Sequence, residues 1–121
     1  MANILVVDDD ETDRLGLAAI LESGGHEVCC AGEGNEALEM YLTRRIHLVV
    51  TDMVMPGGDG LGLISALKNV DPRATIIAIS GKSRSQLEAS KIFGADKVLE
   101  KPIDRETLLR AVADAIGERD R

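Results

Sequence analysis

The sequence predicts a doubly wound α/β fold built on a five-stranded parallel sheet. Five short apolar runs alternate strictly with longer segments of helical character. Runs such as Leu48-Val49-Val50 and Ile76-Ile77-Ala78-Ile79 are apolar without interruption, the pattern of strands covered on both faces. Acids and other polar residues also stand where several of these runs stop. In a parallel sheet those stops share one edge, where open α/β sheets place their ligands.

The elements follow in order. A first strand is expected over 3–8, with Ile4-Leu5-Val6-Val7 running into Asp8 and Asp9. A helix over 11–23 follows, with Asp10 or Thr12 suited to cap it and Gly24-Gly25 to close it. The second strand, 27–31, contains Cys29 and Cys30, whose side chains must point to opposite faces. A disulfide between such neighbours would be badly strained, so both are read as small apolar fillers in a reducing compartment. Ala37, Leu38, Tyr41 and Leu42 recur at helical spacing. The third strand, 46–51, ends at Asp52, and a helix over 60–69 is stopped by Asp71-Pro72. After a fourth strand over 75–80, the segment Ser85 to Phe93 has a weaker stripe of Leu87, Ala89, Ile92 and Phe93 between Gly81 and Gly94. It is the best candidate for a movable element, because local stability follows buried apolar contact. A fifth strand over 97–100 leads into a last helix striped by Leu108, Leu109, Val112, Ala113 and Ile116. Right-handed crossovers would place helices on both faces of the sheet.

At 121 residues, 45% hydrophobic and 29% charged, the chain is expected to form one domain with a single core, roughly 3–117, and Glu118-Arg119-Asp120-Arg121 a solvated tail or linker stump. The net charge is -7 and Lys and Arg form no cluster, which argues against direct nucleic-acid binding. Aromatic residues are limited to Tyr41 and Phe93, with no Trp, so no platform for stacking bases exists. No apolar stretch approaches the ~20 residues needed to span a bilayer. Met1-Ala2-Asn3 lacks the basic start of a signal peptide, so a soluble, cytoplasmic protein is expected. His26 and His47, distant in sequence from each other and from the acids, are read as surface or edge residues, Met55 as core filler and Met53 as partly exposed.

The strand ends carry the chemistry. Asp8, Asp9 and Asp52 would meet at one edge, and carboxylates packed together repel and raise one another's pKa unless a cation sits among them. Oxygen-only ligands suit a hard ion, Mg²⁺ above all, with Mn²⁺ as a substitute. Ser80 and Lys101 stand at the ends of the fourth and fifth strands. A carboxylate nucleophile, a divalent cation, a hydroxyl and an ammonium form a set suited to phosphoryl transfer. An Asp at a strand end also often serves only as a helix cap, and a lone lysine is usually a solvated one; the complete set favours chemistry.

Taken in order, several pieces resemble a receiver domain of the bacterial response-regulator family, of the stand-alone chemotaxis-regulator type. They are Ile4-Leu5-Val6-Val7-Asp8-Asp9-Asp10 with Arg14, Gly34-Asn35-Glu36-Ala37-Leu38, Thr51-Asp52-Met53-Val54-Met55-Pro56-Gly57-Gly58-Asp59-Gly60, Ile79-Ser80-Gly81, Phe93-Gly94-Ala95-Asp96, and Glu100-Lys101-Pro102. The resemblance spans nearly the whole chain and implies a flavodoxin-like strand order, 2-1-3-4-5. It implies that Asp52 is the phosphoacceptor, fed by a phosphohistidine of a sensor histidine kinase or a phosphotransfer protein, or by a small acyl phosphate. Asp9 would bind Mg²⁺ directly, Asp8 largely through water, and the backbone carbonyl of Val54 would complete the protein ligands beside Asp52. Ser80 and Lys101 would hold phosphoryl oxygens, Gly81 would leave an approach open beside Ser80, and the Lys101-Pro102 bond would be cis.

The resemblance also implies a switch: the loop after Ser80 and the face of the following helix and fifth strand respond to the new charge. The usual aromatic switch residue is replaced by Val98, so coupling would run through loop and helix displacement or through a different output surface. Val54 and Lys82 would tune hydrolysis, and Val54 cannot orient an attacking water, which predicts a slowly hydrolysing acyl phosphate. Downstream, a protein target or a tethered output domain is expected, with the chain a monomer or a weak phosphorylation-dependent dimer. No conventional enzyme activity is expected beyond promotion of its own phosphorylation and dephosphorylation. Two rivals stand beside this reading. One is a phosphate-independent docking domain of the same fold. The other is a Mg²⁺-dependent aspartyl-phosphate phosphatase with Asp8 as nucleophile, since Asp8-Asp9-Asp10-Glu11-Thr12 fits a DxDxT motif; Asp52-Met53-Val54-Met55-Pro56 would then go unexplained.

Overall fold

The computed structural model describes residues 2–53, 60–81, 88, 91 and 94–119. Strand β1 (Asn3–Val7) leads into helix α1 (Glu11–Ser23), then β2 (Glu27–Ala31), α2 (Gly34–Thr43), β3 (Leu48–Asp52), α3 (Gly60–Val70), β4 (Ile76–Ser80), β5 (Lys97–Glu100) and α4 (Arg105–Arg119). The strands form one sheet in the order β2-β1-β3-β4-β5, and all four pairings are parallel. This is the doubly wound architecture that the alternation predicts.

The side-chain period of two divides each strand between two cores. Leu5, Val7, Val49, Ile76 and Ala78 face Ala37 of α2 and Leu63, Ile64 and Leu67 of α3. Ile4, Val6, Leu48, Val50, Ile77 and Ile79 face Leu21 of α1 and Leu108 and Val112 of α4. Covering on both faces is why β3 and β4 read as unbroken apolar runs. Cys29 and Cys30 are free and half-buried, one packed against each core.

Local chemistry sets the helix ends. Asp10 caps α1 by accepting the Asp13 N–H at 3.0 Å. The helix closes at Gly24, followed by Gly25 with φ +90°, a conformation that favours glycine. A Cβ on Gly24 would lie 2.6 Å from Cδ2 of Leu109, so the missing side chain also lets α4 approach α1. Asp104 accepts the Thr107 N–H at 2.7 Å at the start of α4. The end of α3 is tied to α2 by Tyr41, whose hydroxyl donates to Asp71 at 2.7 Å. At the amino edge of the sheet, Nδ1 of His26 accepts the Ala2 N–H at 3.2 Å and Nδ1 of His47 accepts the Asn3 N–H at 2.9 Å. Both histidines are half-buried edge residues that satisfy main-chain donors at the start of β1.

Five expectations change. The single core is divided in two, one on each face of the sheet, and the expected tail is helical through Arg119, with Glu118 paired to Lys97 at 3.3 Å. β1 stops at Val7 and β3 runs through Asp52, because the Met53 N–H still donates to the Ile79 carbonyl at 2.9 Å. That ladder bond turns Met53 inward, so it is 4% exposed in the α2/α3 core rather than partly exposed. Of the expected helix over 85–93, only Glu88 and Lys91 are described, both helical and exposed; Val54, Met55 and Lys82 also lie outside the described residues. No described helix is long and apolar enough to cross a membrane.

Candidate functional site

Strand register builds the site. Val7 pairs with Thr51, Asp52 with Ile79, and Ser80 with Glu100, so the carboxyl ends of β1, β3, β4 and β5 come level at one edge. Asp8 and Asp9 follow β1, Asp52 ends β3, Ser80 ends β4 and Lys101 follows β5. The Asp8 N–H donates to the Ala31 carbonyl at 3.1 Å and the Lys101 N–H to the Ser80 carbonyl at 2.9 Å, which fixes both residues just beyond their strands. The Arg14 guanidinium donates to the Asp8 carbonyl at 2.8 Å, and Thr51 Oγ1 donates to the Asp52 carbonyl at 3.0 Å.

Asp8 and Ser80 are fully buried and Asp52 is 7% exposed, while Asp9 is open to solvent. One carboxylate oxygen from each of Asp8, Asp9 and Asp52 lies within 4.8 Å of the others. Oδ1 of Asp8 accepts the Asp10 N–H at 3.0 Å. Its Oδ2 is the one buried side-chain polar atom among the described residues without a hydrogen-bond partner. Burial, with help from the Asp52 charge, pushes the Asp8 carboxyl above the usual 3.8. An orphaned, buried anionic oxygen beside two further carboxylates is the donor set of a hard divalent cation, so the residues present fit one.

Lys101 Nζ lies 3.7 Å from Oδ2 of Asp8 and 3.6 Å from Oδ2 of Asp52, and it donates to Oδ2 of Asp13 at 3.2 Å. Burial disfavours the ammonium, but the Asp13 hydrogen bond and the charges of Asp52 and Asp8 outweigh it and raise its pKa above 10.5. The Lys101–Pro102 peptide bond is cis. A Cβ on Gly81 would sit 3.3 Å from Cβ and 3.5 Å from Cδ of Lys101. The glycine therefore also makes room for the lysine stem, a role that its place after Ser80 does not reveal. Val98 is half-buried on β5 against the α2/α3 core.

All of the described candidates, Asp8, Asp9, Asp52, Ser80, Gly81 and Lys101, come together at this edge; Val98 lies inward along β5. Sequence reasoning missed Asp13. An acid on the first turn of α1 looks like a residue placed for the helix dipole, and its contact with Lys101 spans 88 positions. It also took Arg14 only as part of a motif, without its bond to the Asp8 carbonyl.

Residues 4–113 match the family model of the response regulator receiver domain. The chain is 34% identical to protein PilH of Pseudomonas aeruginosa over 93% of its own length and 95% of the relative's. It is 31% identical to a probable chemotaxis protein CheY of Rhizobium etli over 94% and 92%. The crystal structure of a response regulator receiver domain protein from Clostridium thermocellum superposes with a TM-score of 0.94 at 29% identity, covering 99% of this chain and 98% of that one. Fold, acidic edge and sequence agree: the chain belongs to the response regulator receiver-domain family, the phosphoacceptor domains of two-component signalling.

Proposed function

We propose that Asp52 accepts a phosphoryl group from a phosphohistidine of a sensor histidine kinase or phosphotransfer protein, or from a small acyl phosphate, and that the modified edge then engages a downstream protein target or output domain in the cytoplasm. The observation that carries this reading is the convergence of Lys101 on Asp8 and Asp52 at 3.7 and 3.6 Å, beside the orphaned Oδ2 of Asp8. An Asp52 carboxylate oxygen forms a bond to phosphorus as the bond from phosphorus to the donor imidazole nitrogen breaks, and the leaving imidazole takes up a proton. Mg²⁺, or Mn²⁺ in its place, held by Asp8, Asp9, Asp52 and the backbone carbonyl of Val54, would neutralise charge on the phosphoryl oxygens. Lys101 pairs with one of these oxygens and the Ser80 hydroxyl donates to another. Arg14 holds the turn that carries Asp8 and Asp9. The domain thus promotes its own phosphorylation and dephosphorylation, with Val54 and Lys82 setting a slow loss of phosphate, and it is not a conventional enzyme. With Val98 in place of an aromatic, the response runs through the loop after Ser80 and the segment beyond it. Asp8 as a phosphatase nucleophile would leave the approach of Lys101 to Asp52 at 3.6 Å without a role.

Incubation with Mg²⁺ and a small acyl phosphate, followed by intact mass, tests the reading. A phosphate-sized gain lost in Asp52→Asn supports Asp52 as acceptor. No gain with an active donor favours a docking domain, and donor turnover that survives Asp52→Asn but stops with Asp8→Asn favours the phosphatase.

A further inference from the structure

We propose that Asp13 is a positioning residue: it restrains the Lys101 ammonium in the resting protein, and a phosphoryl group on Asp52 must draw the lysine away from it. The inference rests on the reading of Asp52 as phosphoacceptor.

Of the three carboxylates among the described residues within 4 Å of Lys101 Nζ, Asp13 alone lies at hydrogen-bonding distance, 3.2 Å, whereas Asp52 and Asp8 stand at 3.6 and 3.7 Å. The ammonium therefore leans toward the most exposed of the three acids, with a side chain 49% exposed against 10% for Asp52 and 0% for Asp8. Asp13 is firmly placed, since its own N–H is bound by the Asp10 cap at the start of α1. Lys101 is attached to β4 through its main chain, and its stem runs over Gly81. Its flexible side chain can exchange partners without moving the backbone.

A phosphoryl group on Asp52 brings extra negative charge and strong acceptor oxygens. Its pairing with Lys101 competes with the Asp13 hydrogen bond, and the resting restraint subtracts from the affinity of the site for that group. The pair is partly exposed, so the competition is modest: removal of Asp13 as a partner changes affinity by about two- to fivefold.

Beryllofluoride, a non-covalent phosphoryl mimic, is titrated in the presence of Mg²⁺ into wild type, Asp13→Asn, Lys101→Met and the double variant, with binding followed by NMR. Lys101 ε-methylene resonances are recorded in the ligand-free proteins. Asp13→Asn is expected to bind the mimic about two- to fivefold more tightly than wild type and to shift the Lys101 resonances before any ligand is added. In the Lys101→Met background, Asp13→Asn is expected to change nothing. A gain of the same size without Lys101 would show the lost charge acting through space and would overturn the proposal, as would unchanged or weakened binding in Asp13→Asn. Failure of the wild type to take up either beryllofluoride or a phosphoryl group would remove the Asp52 reading and this inference with it. That result is distinguished from a missing restraint by the ligand-free resonances, which report the hydrogen bond itself.

Discussion

Replacing Asp8 by asparagine should stabilise the protein in the absence of divalent cations while removing its ability to gain from them. Asp8 is fully buried, its Oδ2 has no hydrogen-bond partner among the described residues, and an Asp52 carboxylate oxygen lies within 4.8 Å. A buried polar atom without a partner costs about 1–3 kcal/mol, more when charged. The Lys101 ammonium at 3.7 Å offsets part of that cost. The amide keeps the Oδ1 acceptor for the Asp10 N–H and turns Oδ2 into a donor facing neighbouring carboxylates, so a net gain of about 1–2 kcal/mol is expected. A domain of this size unfolds with an entropy of about 0.25 kcal/mol/K near Tm, which converts the gain to roughly 4–8 °C. Thermal unfolding by circular dichroism at pH 7 in a chelator measures it. Wild type should rise by about 1.4 kcal/mol at a Mg²⁺ concentration ten times its Kd, and the variant by far less at the same concentration. The pH dependence supplies a second check. A folded pKa raised above 3.8 means that this group stabilises the fold at low pH and that its contribution is lost as pH rises through the folded pKa, so the advantage of Asp8→Asn should grow with pH over that range. A lower Tm for Asp8→Asn in chelator, or equal stabilisation of both proteins by Mg²⁺, would refute the argument.

Three further outcomes follow from other residues. Burial lowers the His26 pKa below 6.5, so the unfolded chain binds that proton more readily and stability should fall as pH drops below about 6.5; His26→Gln should flatten that limb of a urea-unfolding series. Tyr41→Phe removes the 2.7 Å bond to Asp71 and should cost about 1 kcal/mol in chemical denaturation. Burial first, and then the bond to Asp71, push the Tyr41 phenol far above its usual 10, so in this single-tyrosine, tryptophan-free chain the alkaline absorbance change of phenolate should coincide with loss of ellipticity. In Gly60→Ala, the new Cβ would lie 2.6 Å from the Asp52 carbonyl oxygen and 2.7 Å from Cα of Met53; a loss of about 1–3 kcal/mol and slower phosphorylation by a small acyl phosphate are expected.

Much of this architecture is legible because buried parallel strands have no polar face to conceal them. Leu48-Val49-Val50 and Ile76-Ile77-Ala78-Ile79 announce their strands, and the acids that end such runs mark the edge where ligands bind. The Asp10 cap and the Gly24-Gly25 stop are equally local and readable in the same way. What escapes depends on contacts between distant positions. The Asp13 partnership with Lys101, the crowding of Gly81 by the lysine stem and the service of His26 and His47 to the start of β1 carry no periodic signal. The inward turn of Met53 depends on a single ladder bond to β4, which hydropathy cannot register.

The position of β5 in the sheet gives the site an uneven mechanical character. Asp8 and Asp52 hang from β1 and β3, interior strands bonded on both sides and almost wholly buried, and Ser80 ends β4, which is equally enclosed. Among the described site residues, Lys101 alone extends from an edge strand, four residues long, half-buried and paired among the described strands with β4. The site therefore resembles a vice with a fixed anvil and one compliant jaw. Edge amides open at lower free energy than interior ones, so those of β5 should exchange with solvent before those of β1 and β3.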